Sequence, residues 1–218
     1  KDEDDLIIAS YDTTYGDLVV STHSSSTGFR ESIRYLDGVP ANGTAVADPA
    51  GPRGGLTAAG PNLGQHTAIA NSETTIVVSY YDVDNTNLKL AQYNQATQEW
   101  SISSIHEDDG DIGRYTSIAL DSNNIIHVTY YAHRIGLAPS EGAAQSIMTG
   151  VYYARSKNTA PTGPADWEIS PVEIVPSCHG ACTSNESCVE INGEATCLAS
   201  ATSCENCEAY QSCINDST

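Results

Sequence analysis

The chain has 218 residues, with 28 Asp and Glu against 9 Lys and Arg, for a formal net charge of −19. That balance excludes nucleic-acid binding, which needs clustered cations against phosphate, and docking on anionic lipid. No apolar run approaches the roughly 20 residues that span a bilayer, so no membrane insertion is expected; the opening KDEDD does not read as a signal peptide, and any such leader is expected to have been removed.

Short runs of β-branched and aromatic residues then follow one another along the chain. Residues 6–12 (LIIASYD) and 16–23 (GDLVVSTH) predict two strands, with a third near residues 30–36. A loop rich in Gly, Pro and Ala occupies residues 37–61. Four strands are predicted next, at residues 64–70 (GQHTAIA), 74–83 (TTIVVSYYDV), 87–93 (NLKLAQY) and 99–105 (EWSISSI). Four more follow at residues 113–119 (GRYTSIA), 124–133 (NIIHVTYYAH), 150–156 (GVYYARS) and 166–174 (DWEISPVEI). Residues 140–148 are the most helix-like stretch but too short to hold, and are read as loop. Pro176 marks the end of the last strand.

These strands form a repeat. Gly64 and Gly113, 49 residues apart, open matching units of four strands, each closing on a tryptophan. An incomplete copy stands at the N-terminus, where residues 6–12 align with 76–82 and the first strand is missing. Four antiparallel strands per 40–50 residues are the arithmetic of a β-propeller blade. The alternative is an ordinary β-sandwich; the joint recurrence of position, residue type and strand order favours blades. The expected fold is all-β. Residues 1–177 form three propeller-type blades (approximately 1–50, 51–112 and 113–177), and residues 178–218 form a separate cysteine-rich module. Three blades do not close a ring, so a second copy or a companion chain from the same precursor is expected to supply more.

All seven cysteines fall in the last part of the chain: Cys178, Cys182, Cys188, Cys197, Cys204, Cys207 and Cys213. The segment has few large apolar residues, so disulfides in an oxidising compartment are expected to hold it, with the pairing open. Zinc is the alternative at Cys204-x-x-Cys207 beside His179. Haem attachment is excluded because Glu208, not His, follows that pair. The set of spacings repeats internally, and the second copy ends before a fourth cysteine, as in a tail that continues. Asn42, Asn185 and Asn215 each open a glycosylation sequon.

The string GRYTSIALDSNNIIHVTYY, with YYDVDNTNLKLAQYN and its closing Trp100, resembles repeats of secreted bacterial propellers related to the sialidase superfamily. The cysteine-rich tail is loosely EGF-like, though the usual closing C-x-C is absent. The resemblance implies a propeller scaffold on a secreted or cell-surface protein. It does not carry the enzyme: a sialidase needs an arginine cluster, whereas this chain has six scattered arginines and no complete S-x-D-x-G-x-x-W box.

Two kinds of site remain. Asp82, Asp84 and Asn87 in one turn, and Asp108, Asp109 and Asp111 in another, are candidate oxygen ligands for calcium, although neither turn fits the EF-hand pattern. Against this stands the ordinary use of Asp and Asn in hairpin turns. No hydrolase elbow, zinc-protease or phosphate-loop motif occurs, so a non-enzymatic protein is expected and no cofactor is required. In the tyrosine pairs 80–81, 130–131 and 152–153, adjacent residues face opposite ways, one toward the core and one free to stack on sugar. His66 and Arg114, read as exposed at equivalent positions beside the start of the innermost strand and lining a central channel, are with Tyr81 and Tyr131 the candidate glycan contacts. The expected role is extracellular interaction and assembly with glycan binding. The alternatives are a sialidase-like hydrolase whose site is completed by missing blades, and a structural subunit of an extracellular complex or filament.

Overall fold

The computed structural model describes residues 6–24, 26, 30–40, 53–108, 110–137, 146–176, 186–191 and 194–199. Every extended segment in them is antiparallel, in three sheets and a hairpin that follow chain order. The first sheet holds β1 (Leu6–Asp12), β2 (Asp17–His23) and β3 (Arg30–Asp37). The second holds β4 (Leu63–Asn71), β5 (Thr75–Asp82), β6 (Asn87–Asn94) and β7 (Glu99–His106). The third holds β8 (Asp111–Leu120), β9 (Ile126–Leu137), β10 (Ser146–Ser156) and β11 (Trp167–Pro176). β12 (Glu186–Ile191) and β13 (Glu194–Ala199) form a separate hairpin.

Two expectations shift and one stands. The expected boundary at residues 112/113 falls inside β8, whose unit starts at Asp111. β10 begins at Ser146, so the end of the expected 140–148 loop is strand; residues 140–145 lie outside the described residues. β11 runs to Pro176, as expected for an edge strand, where the missing amide costs no ladder bond.

The repeat holds at the level of register. Tyr11 pairs with Leu18, Tyr81 with Leu88 and Tyr131 with Val151, at the same place in each sheet. Immediately beyond, each third strand meets its fourth through a bulge, at Leu18/Val19, Leu88/Lys89 and Val151/Tyr152. Among the described residues the first sheet has no counterpart of β4 and β8.

Successive sheets pack face to face. Leu18 and Val20 of the first meet Leu63, Val78, Tyr80 and Ala91 of the second in one buried cluster. Val77, Leu88, Leu90 and Ile105 of the second meet Ile126, Val128, Tyr130, Tyr152 and Trp167 of the third in another. The two tryptophans fill space between sheets, Trp167 buried and Trp100 half-buried against the first sheet. Burial of such side chains at roughly 25 cal/mol per Å² is the main term holding the sheets together.

Polar pairs recur at the same seams. Asp37, at the end of β3, accepts from the Tyr80 hydroxyl (2.6 Å) and the Lys89 ammonium (2.5 Å). One seam on, His106 at the end of β7 lies 2.7 Å from the Tyr130 hydroxyl through Nδ1. Burial pulls the His106 imidazolium pKa down, against an opposing pull from Asp108. The folded protein therefore binds fewer protons at this ring than the unfolded chain. Stability is full above the ordinary histidine pKa of about 6.5 and falls as pH drops through and below it. Urea unfolding at pH 7.5 and 5.5 is expected to show this loss, and His106→Gln to flatten it; an unchanged slope in the variant would contradict the assignment.

Candidate functional site

Gly64 and Gly113 open the innermost strands with φ of +112°, a conformation that only glycine takes without strain. Each is followed two residues later by a side chain held at φ +54°, His66 in β4 and Tyr115 in β8. The ladder slips at both places, between Leu63 and Ala68 and between Ile112 and Ser117. These bulges re-aim the side chains that follow the glycine. His66 is therefore the counterpart of Tyr115, and Arg114 that of Gln65. The expectation that singled out His66 and Arg114 together joined neighbours from two different positions of the repeat.

The structure nonetheless brings the four candidate contacts close to one another. The His66 ring lies 4.5 Å from that of Tyr115 and 6.0 Å from that of Tyr81. Tyr115 lies edge-on to Tyr131 at 6.4 Å, and Tyr131 stacks on His133 at 6.5 Å. Thr149 Oγ1 sits 2.6 Å from the Tyr131 hydroxyl and 3.1 Å from His133 Nδ1. Arg114 grips Asp111 with two bonds, Nη2 to Oδ2 at 2.6 Å and Nε to Oδ1 at 3.1 Å, and lies 5.5 Å over the Tyr81 ring. Tyr81 donates its hydroxyl to Asp111 Oδ1 at 2.7 Å. Together these residues make an aromatic ledge across the ends of β4, β5, β8 and β9.

Exposure separates their roles. Tyr115 is 70% exposed and was missed from sequence, although it stands in the same column of the repeat as His66. Tyr81 is only 2% exposed, because the third sheet covers it, and meets the ledge from beneath through Asp111, Arg114 and the His66 ring. Burial and the bond to Asp111 push its phenol pKa up to about 12, so it stays a donor. The division of each tyrosine pair into core and free members holds in the third sheet, where Tyr130 and Tyr152 are buried and Tyr131 and Tyr153 half-buried. In the second sheet it fails: neighbours cover both faces, and Tyr80 and Tyr81 are both buried. Burial, then the Arg114 charge, lower the His66 pKa, against an opposing pull from Asp111.

The acidic turns do not converge. Asp82 accepts from the amide and side chain of Asn85, Asp84 from the amide of Asn62, and Asp111 from Tyr81 and Arg114. Asn87 starts β6 as the partner of Asp82, Asp108 is exposed, and Asp109 lies outside the described residues. Among the described residues no three His, Cys, Asp or Glu side chains gather as a metal site. Cys188 and Cys197 face each other in the register of β12 and β13. Cys178, Cys182, Cys204, Cys207 and Cys213, and the sequons at Asn42, Asn185 and Asn215, lie outside the described residues.

Two clefts open between sheets. A polar one of about 240 Å³ includes Thr75, Gln92, Asn94 and Asn124. Gln92 spends its amide on Thr75 (3.2 Å) and the Thr159 carbonyl (2.7 Å), so it fastens the seam. The other, about 190 Å³, lies between Ile7, Val20 and Arg34 on one side and Tyr93 and Trp100 on the other. No family model matches the chain, and no curated protein matches it.

Proposed function

We propose that this chain is a secreted or cell-surface, non-enzymatic interaction protein, built as a propeller-type array of sheets with a disulfide-held tail, and that its ledge binds a glycan. The observation that carries the reading is the exposed Tyr115 ring, held by a bulge beside His66, Tyr131 and the Arg114–Asp111 pair. An aromatic face stacks on the C–H face of a pyranose, while a guanidinium–carboxylate pair offers donors and acceptors to its hydroxyls. Successive antiparallel sheets of three and four strands in chain order suit the sialidase-superfamily repeats that the sequence resembles. The carboxylate of the ledge is already gripped by Arg114 and Tyr81, which suits binding over acid–base work. The clustered cysteines and the acidic composition suit an extracellular setting. Further sheets would come from a companion chain.

A glycan array followed by titration calorimetry tests this. Tyr115→Ala is expected to weaken binding roughly tenfold, the equivalent of about 1.4 kcal/mol, with an unchanged unfolding midpoint. Undiminished binding by this variant would remove the ledge. Turnover of fluorogenic glycosides by the wild type would instead establish a hydrolase.

A further inference from the structure

We infer that the cleft between the first and second sheets docks an extended, proline-bearing peptide segment of a partner protein, one without acidic side chains. The inference rests on the likeness of the two seams, and not on what the ledge binds.

At the second seam the equivalent place is filled by the chain itself. β10 and β11 are joined by the ten residues 157–166, which reach back to the second sheet. Gln92 of β6 donates Nε2 to the Thr159 carbonyl at 2.7 Å, and Ser103 of β7 donates its hydroxyl to the Pro161 carbonyl at 3.3 Å. Pro161 is buried there, an uncommon place for a proline. In this seam Val77, Leu90, Ile126 and Trp167 are all at most 4% exposed.

The first seam repeats these positions without the loop. Counting from Leu18 and Leu88, Thr22 stands for Gln92, and the β3 partners Ser32 and Arg34 stand for Ser101 and Ser103. Trp100, paired with Tyr93, stands for Trp167, paired with Ser156. β6 and β7, however, are joined by only the four residues 95–98. That turn bonds within its own sheet, through Gln95 to the carbonyls of Ser72 and Thr74, both at 3.1 Å. What remains is the cleft of about 190 Å³, with Trp100 half-buried where Trp167 is buried.

Donors for a peptide backbone stand in the cleft, as they do one seam on. The hydroxyls of Thr22 and Ser32 share a single hydrogen bond of 2.6 Å, which leaves one of their two hydrogens to donate. Arg34 is exposed, and among the described residues it has neither a hydrogen bond nor an ion pair. Elsewhere in the chain Arg53 shows what a guanidinium does with backbone, donating to the carbonyls of Leu56 and Ala58, two residues apart. Arg34 offers the same grip to a docked segment. The Tyr93 and Trp100 rings, 5.2 Å apart and tilted at 42°, give the cleft an aromatic wall, and aromatic-lined grooves take the flat ring of proline in extended segments. The formal net charge of −19 repels carboxylates, so the segment that fits is neutral or basic. The 157–166 loop is spent at the second seam, and a partner's segment takes its place at the first.

The test titrates a capped synthetic peptide with the sequence of residues 157–163 into the isotope-labelled full chain. The indole N–H signals of the two tryptophans are followed by NMR and assigned with Trp100→Phe. At millimolar peptide the Trp100 signal is expected to move and that of Trp167 to stay. Replacing the peptide's proline by alanine is expected to weaken binding several-fold. Arg34→Ala is expected to weaken it to a similar extent, with the unfolding midpoint of the protein unchanged. A Trp100 signal that stays still overturns the inference, whether the chain itself fills the cleft or nothing does. Movement of Trp167 in place of Trp100 puts the peptide at the second seam and overturns it as well. Equal binding of the alanine peptide, or tighter binding of a glutamate-bearing one, overturns the stated chemistry of the segment. A Trp100 signal moved by neutral oligosaccharide and not by peptide would make the cleft a sugar site instead.

Discussion

Gly113→Ala is expected to cost about 2–6 kcal/mol of unfolding free energy, although it adds a single methyl group. Part of the loss is local, since a φ of +112° strains any residue with a Cβ, at about 1–3 kcal/mol. The rest is steric: the new carbon would stand 2.9 Å from the Cα and Cβ of Leu88, backbone that the second sheet's ladder holds in place. Overpacking of this kind adds about 1–3 kcal/mol. Gly64→Ala meets Leu18 in the same way and is expected to behave alike. Gly163→Ala is the control, because that residue is extended and has nothing within 4 Å of its Cβ position. Urea unfolding of the three variants checks the pattern, and a loss below about 1 kcal/mol for both Gly64 and Gly113 would contradict the close seam.

The second large effect lies at the buried pair Asp17–Arg53. Asp17 is fully buried at the start of β2, and Arg53 holds it through Nε and, at 3.2 Å, Nη2. The same guanidinium donates Nη1 to the carbonyls of Leu56 (3.0 Å) and Ala58 (2.9 Å) and lies 4.2 Å over the Tyr15 ring. It thereby pins residues 53–58 against the first sheet. Removing one partner leaves the other charge buried and unpaired, which typically costs about 3–5 kcal/mol. Arg53→Met is expected to fall in that range. Arg53→Met combined with Asp17→Asn is expected to lose less than the sum of the two single changes, because neither charge is then stranded. Additive losses in a double-mutant cycle would show that the pair is not coupled. Salt should matter little to the wild-type pair, since buried charges are poorly screened.

The strands and their repeat were legible because alternation, β-branching and turn residues survive in each copy. Aligning residues 6–12 with 76–82 also places Tyr11, Tyr81 and Tyr131 in one column, where the registers put them. What a linear reading could not resolve lies at the bulges and the seams. Strict alternation assigns faces only while the ladder is regular, and the slips after Gly64 and Gly113 break that rule at His66 and Tyr115. The signal was present, since GQH and GRY align residue for residue, but the outward aim of the third position depends on backbone dihedrals. Tyr81 illustrates the other limit. Nothing in its own strand distinguishes it from Tyr131; only the third sheet lying over it makes it buried. Arg53, in a loop read as connection, carried no local mark of its partnership with Asp17, 36 residues earlier. The acidic turns show carboxylates clustered in sequence, but not the separate donors within and between turns that Asp82, Asp84 and Asp111 accept from.

Light scattering under native conditions on protein from its own source, resolved into component chains by mass spectrometry, tests the central claim most directly. The proposed array of three propeller-type sheets, too few to close a ring, is expected to run heavier than one chain. It should contain further sheets, from a second copy of this chain or from a companion chain. A particle with the mass of this chain alone would contradict it.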